Sequence, residues 1–412
     1  MSWRVSTIFR ISSTLTEYVD SILLQHALNL VIKRFPYFQV NLRPGLFWYY
    51  FDHTEQIPTV EEEKYYPCIR LELKKKGTFP FRVIYYKKRI AVEFSHSITD
   101  GTGGIIFLQS LLKEYFKLKK INFIDKETSF FNYNDIPKEE EFEDSFKRYF
   151  NKTTPPPYKL PKAFHFPIPL DTKGVYHIVT GILPVKNILE ISKVHGVTLT
   201  EFIIAVYFDT ILDYIKELKK ENPKMKLNPI ILNVPVSLRK SYDSKTLRNF
   251  FISVTPMIDP RLLDYNFDEI LTYVHQYMRE KTHKRFINQQ ITKNIKSELS
   301  FLNRSTPLFI KNLVLPIAYS RLGEGSYTSG ISNVGKITMP KELEPFIERF
   351  EAYPPPSEGN KIKIVMTSYK DNLYITFGKV TYDKTIEKIF FRKLRKMGII
   401  CKIETNDNPR HK

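Results

Sequence analysis

Ser95-His96-Ser97-Ile98-Thr99-Asp100-Gly101 is the stretch on which the reading of this chain turns, because it separates two patterns of different period. Before it, Ile90 to Phe94 is a short β-branched and aromatic run of the kind that forms a half-buried strand. After it, Ile105, Ile106, Leu108, Leu111, Leu112, Tyr115 and Phe116 recur at helical spacing and run into the basic stretch Lys117 to Lys120. The segment therefore predicts a strand-to-helix turn. In such a turn a histidine can be held in one direction, and an aspartate four residues on can anchor the loop through backbone hydrogen bonds or a salt bridge. Gly101 can supply a conformation or a close approach that a Cβ would hinder, and Gly103 and Gly104 add room for entry into the helix. On these residues alone two readings stand: His96 as a reactive base, or a satisfied structural histidine with Asp100 capping the helix.

Working outward, the chain opens with an expected strand at Val5 to Ile11 and a helix from about Thr16 to Lys33, stopped by Arg34-Phe35-Pro36. Runs at Phe38 to Leu42, Phe47 to Phe51, Ile69 to Leu73 and Phe81 to Tyr86 read, with Ile90 to Phe94, as strands of one sheet. The pattern weakens from Ile121 to Pro169, which reads as a connection with some helix in it. Beyond it come strands near Val175 to Leu183, Ile230 to Val236, Phe250 to Met257, Ser329, Ile362 to Ser368 and Leu373 to Val380. Helices are expected at Ile188 to His195, Leu199 to Lys219, Phe267 to Phe286, Pro307 to Ser320 and Asp383 to Met397. Two mixed α/β halves follow, 1–165 and 166–412, with no convincing sequence repeat between them.

The 412 residues are enough for two sizeable cores, and 42% hydrophobic residues suit a globular protein. The first residues lack the pattern of a secretory signal, and no run approaches the ~20 apolar residues of a spanning helix, so a cytoplasmic protein is expected. Cys68 and Cys401, far apart in sequence, suggest neither a disulfide framework nor a metal site. The net charge of +19 raises nucleic acid, anionic membrane and acidic proteins as partners. The basic residues fall into short clusters at Lys74 to Lys76, Lys117 to Lys120 and Arg392 to Lys396, and no nucleic-acid-binding signature accompanies them, so nucleic acid is not expected. Contact with an anionic membrane surface stays open. No nucleophile elbow or phosphate-cradling loop is found, and His165, His177, His275 and His283 have no partner spacing for a metal or triad. His195, followed by Gly196, reads as a helix end.

With its His, Asp at +4 and Gly at +5, the HSITDG segment resembles the active-site motif of the HxxxDG acyltransferase superfamily, whose members include chloramphenicol acetyltransferase and condensation domains. The nearest resemblance is to stand-alone microbial alcohol acetyltransferase-like proteins. RFPYFQVNLRPG (Arg34 to Gly45), NVPVSLR (Asn233 to Arg239) and SGISNVG (Ser329 to Gly335) are similar to further family segments and occur in the expected order. Two departures favour a stand-alone enzyme: Ser95 stands where condensation domains carry a second histidine, and the DFGWG motif of the plant branch is not found.

The resemblance implies two chloramphenicol-acetyltransferase-like subdomains, each a mixed β-sheet covered by helices, arranged as a V with a tunnel between them. It implies His96 as a general base, Asp100 pointing away to hold the loop through an arginine, and Gly101 in the same turn. Arg239 is the first candidate for that arginine and Arg43 the second. Ser332 and Asn333 are implied as oxyanion or substrate-binding residues, although they could merely end a strand. No metal and no permanently bound cofactor are expected; acyl-coenzyme A would be the co-substrate, with a small-molecule or lipid-like alcohol or amine as acceptor. The alternatives are a condensation enzyme fed by an acyl carrier protein thioester, and a ligand-binding relative without turnover.

Overall fold

In the computed structural model, residues 6–124, 135–157, 159–262, 264–318 and 324–407 are described. Val5 of the expected first strand, Tyr319 and Ser320 of the expected 307–320 helix, and residues 125–134 and 158 of the expected 121–169 connection lie outside these residues. The strand Ile8–Leu15 sits inside a five-stranded sheet, in the order Ile347–Tyr353, Ile8–Leu15, Arg89–Ser95, Phe81–Tyr86, Val60–Glu62. Its side chains alternate between two environments, as the pleat requires. Phe9 and Ile11 join Val83, Val92, Phe94 and Phe107 in an apolar core, covered by the mutually packed helices Ser21–Val31 and Gly101–Leu118. On the other face Arg10 lies opposite Glu93 and is fully buried, donating through Nε to Glu93 (2.8 Å) and through Nη1 to Glu63 (2.5 Å). Arg82 also donates to Glu93, and the Cys68 N–H does so at 2.6 Å. The charges are thus buried only as a paired, hydrogen-bonded set.

The second sheet has eight strands. Its path runs Met257–Ile258, Ile230–Ser237, Ser329–Ile337, Ile362–Tyr369, Asn372–Lys379, His177–Pro184, Lys402–Thr405, and Phe251–Val254 also pairs with Ile230–Ser237. Ser329–Ile337 is parallel to both of its neighbours; the other pairings are antiparallel. The helix Leu199–Glu221 starts in a capping box, in which Thr198 and Glu201 each accept the other's backbone N–H. It packs against Phe267–Lys281 and Thr385–Lys396 and contributes Phe202 to Phe208 to a second large core. Two mixed sheets, each covered by helices, make the expected α/β architecture.

Several elements differ from expectation. Ile69 to Leu73 forms no strand, and the runs at 38–42 and 47–51 form a separate hairpin, Val40–Pro44 with Tyr49–His53, outside the large sheets. The first helix begins at Ser21 because Asp20 caps it, accepting from the N–H groups of Ile22 and Leu23. The expected helix 267–286 breaks at Thr282 and His283, and Lys284–Leu299 follows as its own helix. Ile347–Tyr353 was not anticipated as a strand. It leaves the second half of the chain and closes the edge of the first sheet, setting Tyr353 opposite Arg10 and Phe350 opposite Ser13. A division at residue 165 does not account for this crossing, which adds Ile347, Phe350 and Ala352 to the first core.

Candidate active site

His96 directly follows the strand Arg89–Ser95, and its backbone is fixed on both sides. Its N–H donates to the Thr7 carbonyl (2.9 Å), and its own carbonyl accepts from Asn249 Nδ2 (2.6 Å). The ring lies 4.3 Å from the Phe9 ring and 6.4 Å from that of Phe251. Nδ1 is buried and meets no described residue in good hydrogen-bond geometry, with polar groups of Asn249 and Thr99 beside the ring. Enclosure pushes the ring's pKa below the ordinary 6.5, with the Asp100 charge opposing this only in part. His96 is therefore held neutral near pH 7, the state a proton acceptor needs.

Asp100 performs two tasks at once. As the cap of Gly101–Leu118 it accepts from the N–H groups of Thr102 (3.1 Å) and Gly103 (3.4 Å). It also accepts both ends of the Arg239 guanidinium, Nη1 to Oδ2 at 2.9 Å and Nη2 to Oδ1 at 3.1 Å, and the Phe250 N–H at 3.2 Å. Arg239 in turn donates to the carbonyls of Thr246 and Arg248. The reactive-base and helix-cap readings are therefore compatible. Arg43, the second candidate, does not reach this site: it lies 3.7 Å from Asp52, its partner across the exposed hairpin.

Gly101 has no left-handed backbone angle, so its role is close approach. A Cβ there would stand 3.3 Å from Val334 Cγ1, on the strand that carries Ser332 and Asn333. The tighter requirement is at Gly103, where a Cβ would meet Thr99 Oγ1 at 2.1 Å and the Leu247 carbonyl oxygen at 2.7 Å. Thr99 Oγ1 donates to that same carbonyl (2.6 Å), so the contact stitches the turn to the second half of the chain.

His96 borders two cavities. One, of about 410 Å³, brings His96, Gly101, Ser332 and Asn333 together and has an apolar wall that includes Phe9, Ile11, Val334 and Pro354. The other, of about 310 Å³, is lined more by polar groups, among them Asn249, Ser253, Gln290 and Lys293. His96, Phe251 and Tyr327 line both. The Ser332 hydroxyl makes no hydrogen bond to a described residue, whereas the Asn333 amide is engaged, donating to Thr200 Oγ1 (2.9 Å) and accepting from the Gly335 N–H (2.9 Å). Phe9, Asn249, Phe251 and Tyr327 were missed in the sequence, where they look like ordinary strand and turn residues. Among the described residues no three His, Cys, Asp or Glu side chains converge as a metal site.

No sequence-family model matches the chain, and no curated protein matches it by sequence. Solved structures do match. Polyketide synthase associated protein 5 from Mycobacterium tuberculosis aligns over 94% of this chain and 92% of its own, at TM-score 0.56 and 13% identity. The first condensation domain of the calcium-dependent antibiotic synthetase aligns over 95% and 90%, at TM-score 0.56 and 10% identity. This chain has the condensation-domain fold. A trichothecene 15-O-acetyltransferase from Fusarium sporotrichioides shares that fold, over 95% of this chain and 90% of its own, at TM-score 0.57 and 11% identity. So does the epimerization domain of a tyrocidine synthetase module. The condensation-domain fold thus hosts several reactions, and the choice among them rests on the site.

Proposed function

We propose that this protein is an acyltransferase that moves an acetyl or other short acyl group from a coenzyme A thioester to an alcohol or amine, with His96 as general base. The observation that carries the reading is the position of His96: a neutral imidazole on the shared border of two cavities, each large enough for part of a substrate. One cavity would take the acceptor and the other the acyl thioester. In the step proposed, the acceptor's O–H or N–H gives its proton to His96 as the heteroatom attacks the thioester carbonyl. The tetrahedral intermediate then expels the thiolate, which takes the proton back from the imidazolium, so no acyl-enzyme forms. The unengaged Ser332 hydroxyl is the better placed donor to the developing oxyanion. Asn333 has one of its two N–H donors committed to Thr200 and its amide oxygen to the Gly335 N–H, so its side chain is fixed in orientation.

Asp100 takes no part in proton transfer in this scheme; its carboxylate is occupied by Arg239, the helix start and Phe250. The test is thiol release from a panel of acyl-coenzyme A and carrier-bound acyl donors, with alcohols and amines supplied and His96→Ala as control. Turnover lost in His96→Ala with the fold intact supports the reading. Absence of thiol release from every donor would leave a ligand-holding role. Greater turnover on the carrier-bound donor would replace coenzyme A with an acyl carrier protein, a reading favoured by the net charge of +19, which suits an acidic partner.

A further inference from the structure

The hairpin Val40–Pro44/Tyr49–His53 and the helix Leu308–Ala318 lie far apart in sequence, yet they are fastened together at the surface. The Leu308 N–H donates to the Leu46 carbonyl (2.9 Å), and Lys311 Nζ donates to the Phe47 carbonyl (2.9 Å) while lying 3.4 Å from the centre of the Trp48 ring. Burying Lys311 beneath this junction turns apolar side chains outward. Leu46 at the hairpin tip is 74% exposed, Phe309 69% and Leu313 72%, and Phe47, Trp48, Val314 and Leu315 are exposed beside them. Phe301, on the short helix Phe301–Ser305, is 81% exposed. Exposed apolar residues clustered in this way mark an interaction surface rather than ordinary scatter.

Length and charge define the occupant. An apolar helix of 11 residues is too short to cross a bilayer, and its exposure removes the alternative of a buried core helix, which leaves an interfacial position. Trp and Phe are side chains that settle at the boundary between headgroups and acyl chains. The exposed cluster Lys74 to Lys76 flanks the patch, with Lys74 Nζ 5.1 Å from the Tyr49 ring of the same hairpin. Residues 301–318 contain Arg304 and Lys311 but no acidic residue. An apolar wedge beside an exposed basic cluster matches an anionic lipid surface.

We propose that this face docks on an anionic bilayer, with Leu46, Phe47, Trp48, Phe309 and Leu313 inserted at the interface and Lys74 to Lys76 held over the headgroups. The segments that precede and follow residues 301–318 in sequence contribute to the candidate site. The helix Lys284–Leu299 supplies Gln290 and Lys293 to the smaller cavity, and Tyr327, on the far side of the patch in sequence, lines both cavities. This inference goes beyond the acyl-transfer reading, and vesicle binding is measured with no acyl donor present, so either can fail alone.

The experiment uses phosphatidylcholine vesicles with and without phosphatidylserine. Trp3→Phe leaves Trp48 as the sole reporter, because the chain has two tryptophans. The expected result is sedimentation with the phosphatidylserine vesicles, weakened by salt, and quenching of Trp48 by brominated lipid. Phe309→Ser/Leu313→Ser changes two exposed side chains and should lower the partition coefficient about tenfold or more with the unfolding midpoint kept. Neutralising Lys74, Lys75 and Lys76 to Gln should remove the preference for phosphatidylserine. Equal partitioning of wild type and the double variant, or unquenched Trp48 on bound protein, would overturn the proposal. So would capture of this face by a second copy or an acyl carrier protein that the same double variant abolishes.

Discussion

The Asp100 carboxylate meets the Arg239 guanidinium through two parallel hydrogen bonds, 2.9 and 3.1 Å, across 139 residues of sequence. The pair ties the turn that carries His96 to the short helix Arg239–Tyr242 that follows the strand Ile230–Ser237. The backbone N–H of Phe250 bonds the same carboxylate, and neighbouring Asn249 holds the His96 carbonyl. Both halves of the chain therefore fix the direction of His96.

Asp100 is buried and Arg239 partly so, and removing one partner leaves the other charge unpaired, at a cost of about 2–3 kcal/mol, less than for a fully buried pair. Asp100→Ala should lower stability by that order, measured by urea unfolding. Asp100→Ala combined with Arg239→Met should cost clearly less than the sum of the single changes. Additive losses would show that the two residues act independently.

His96→Ala should reduce thiol release by about 10²- to 10⁴-fold, the usual contribution of a positioned base, with little change in unfolding midpoint. A residual rate within a few-fold of wild type would assign the proton transfer elsewhere.

The pH profile follows from the direction of the His96 shift. Burial disfavours the imidazolium, so the folded protein takes up this proton at a lower pH than an unperturbed histidine with its pKa of 6.5. Neutral His96, and with it kcat/KM, should persist on acidification to below 6.5 and then fall. An acid limb centred above 6.5 contradicts the environment described for this ring.

Gly103→Ala places a methyl group 2.1 Å from Thr99 Oγ1 and 2.7 Å from the Leu247 carbonyl oxygen. The Thr99–Leu247 hydrogen bond must break or the helix must shift, a loss of about 1–3 kcal/mol. Gly101→Ala meets only the Val334 side chain, with Cγ1 at 3.3 Å, and should be milder in stability. Equal destabilisation by the two changes would refute this ordering.

If the two cavities hold different substrates, a bulky side chain in each should raise a different Michaelis constant. Gly330→Phe fills the larger cavity and Ser253→Phe the smaller. Steady-state kinetics with both substrates varied distinguishes this from one continuous acceptor pocket, in which both variants would raise the same constant.

The strand, turn and helix around His96 could be read because local chemistry controls them: Arg89–Ser95 alternates, Asp100 caps, and the apolar residues after Gly101 recur with the helical period. Ile347–Tyr353 could not be read in the same way. Its charged and apolar residues suit a strand, but only pairing with Ile8–Leu15 places it in the first sheet. Ile69 to Leu73 shows the converse: a strand-like composition that finds no partner.

By itself, then, the sequence determined the HSITDG turn and the α/β class, since periodicity and capping are properties of neighbours along the chain, while the short choice of arginines for Asp100 followed from the family resemblance. Tertiary structure alone decided that Arg239 and not Arg43 meets Asp100, that Asn333 is engaged while Ser332 is not, and that Phe251 and Tyr327 share two cavities with His96. Those outcomes depend on distances between segments far apart in sequence, fixed only when two sheets and their cores pack together.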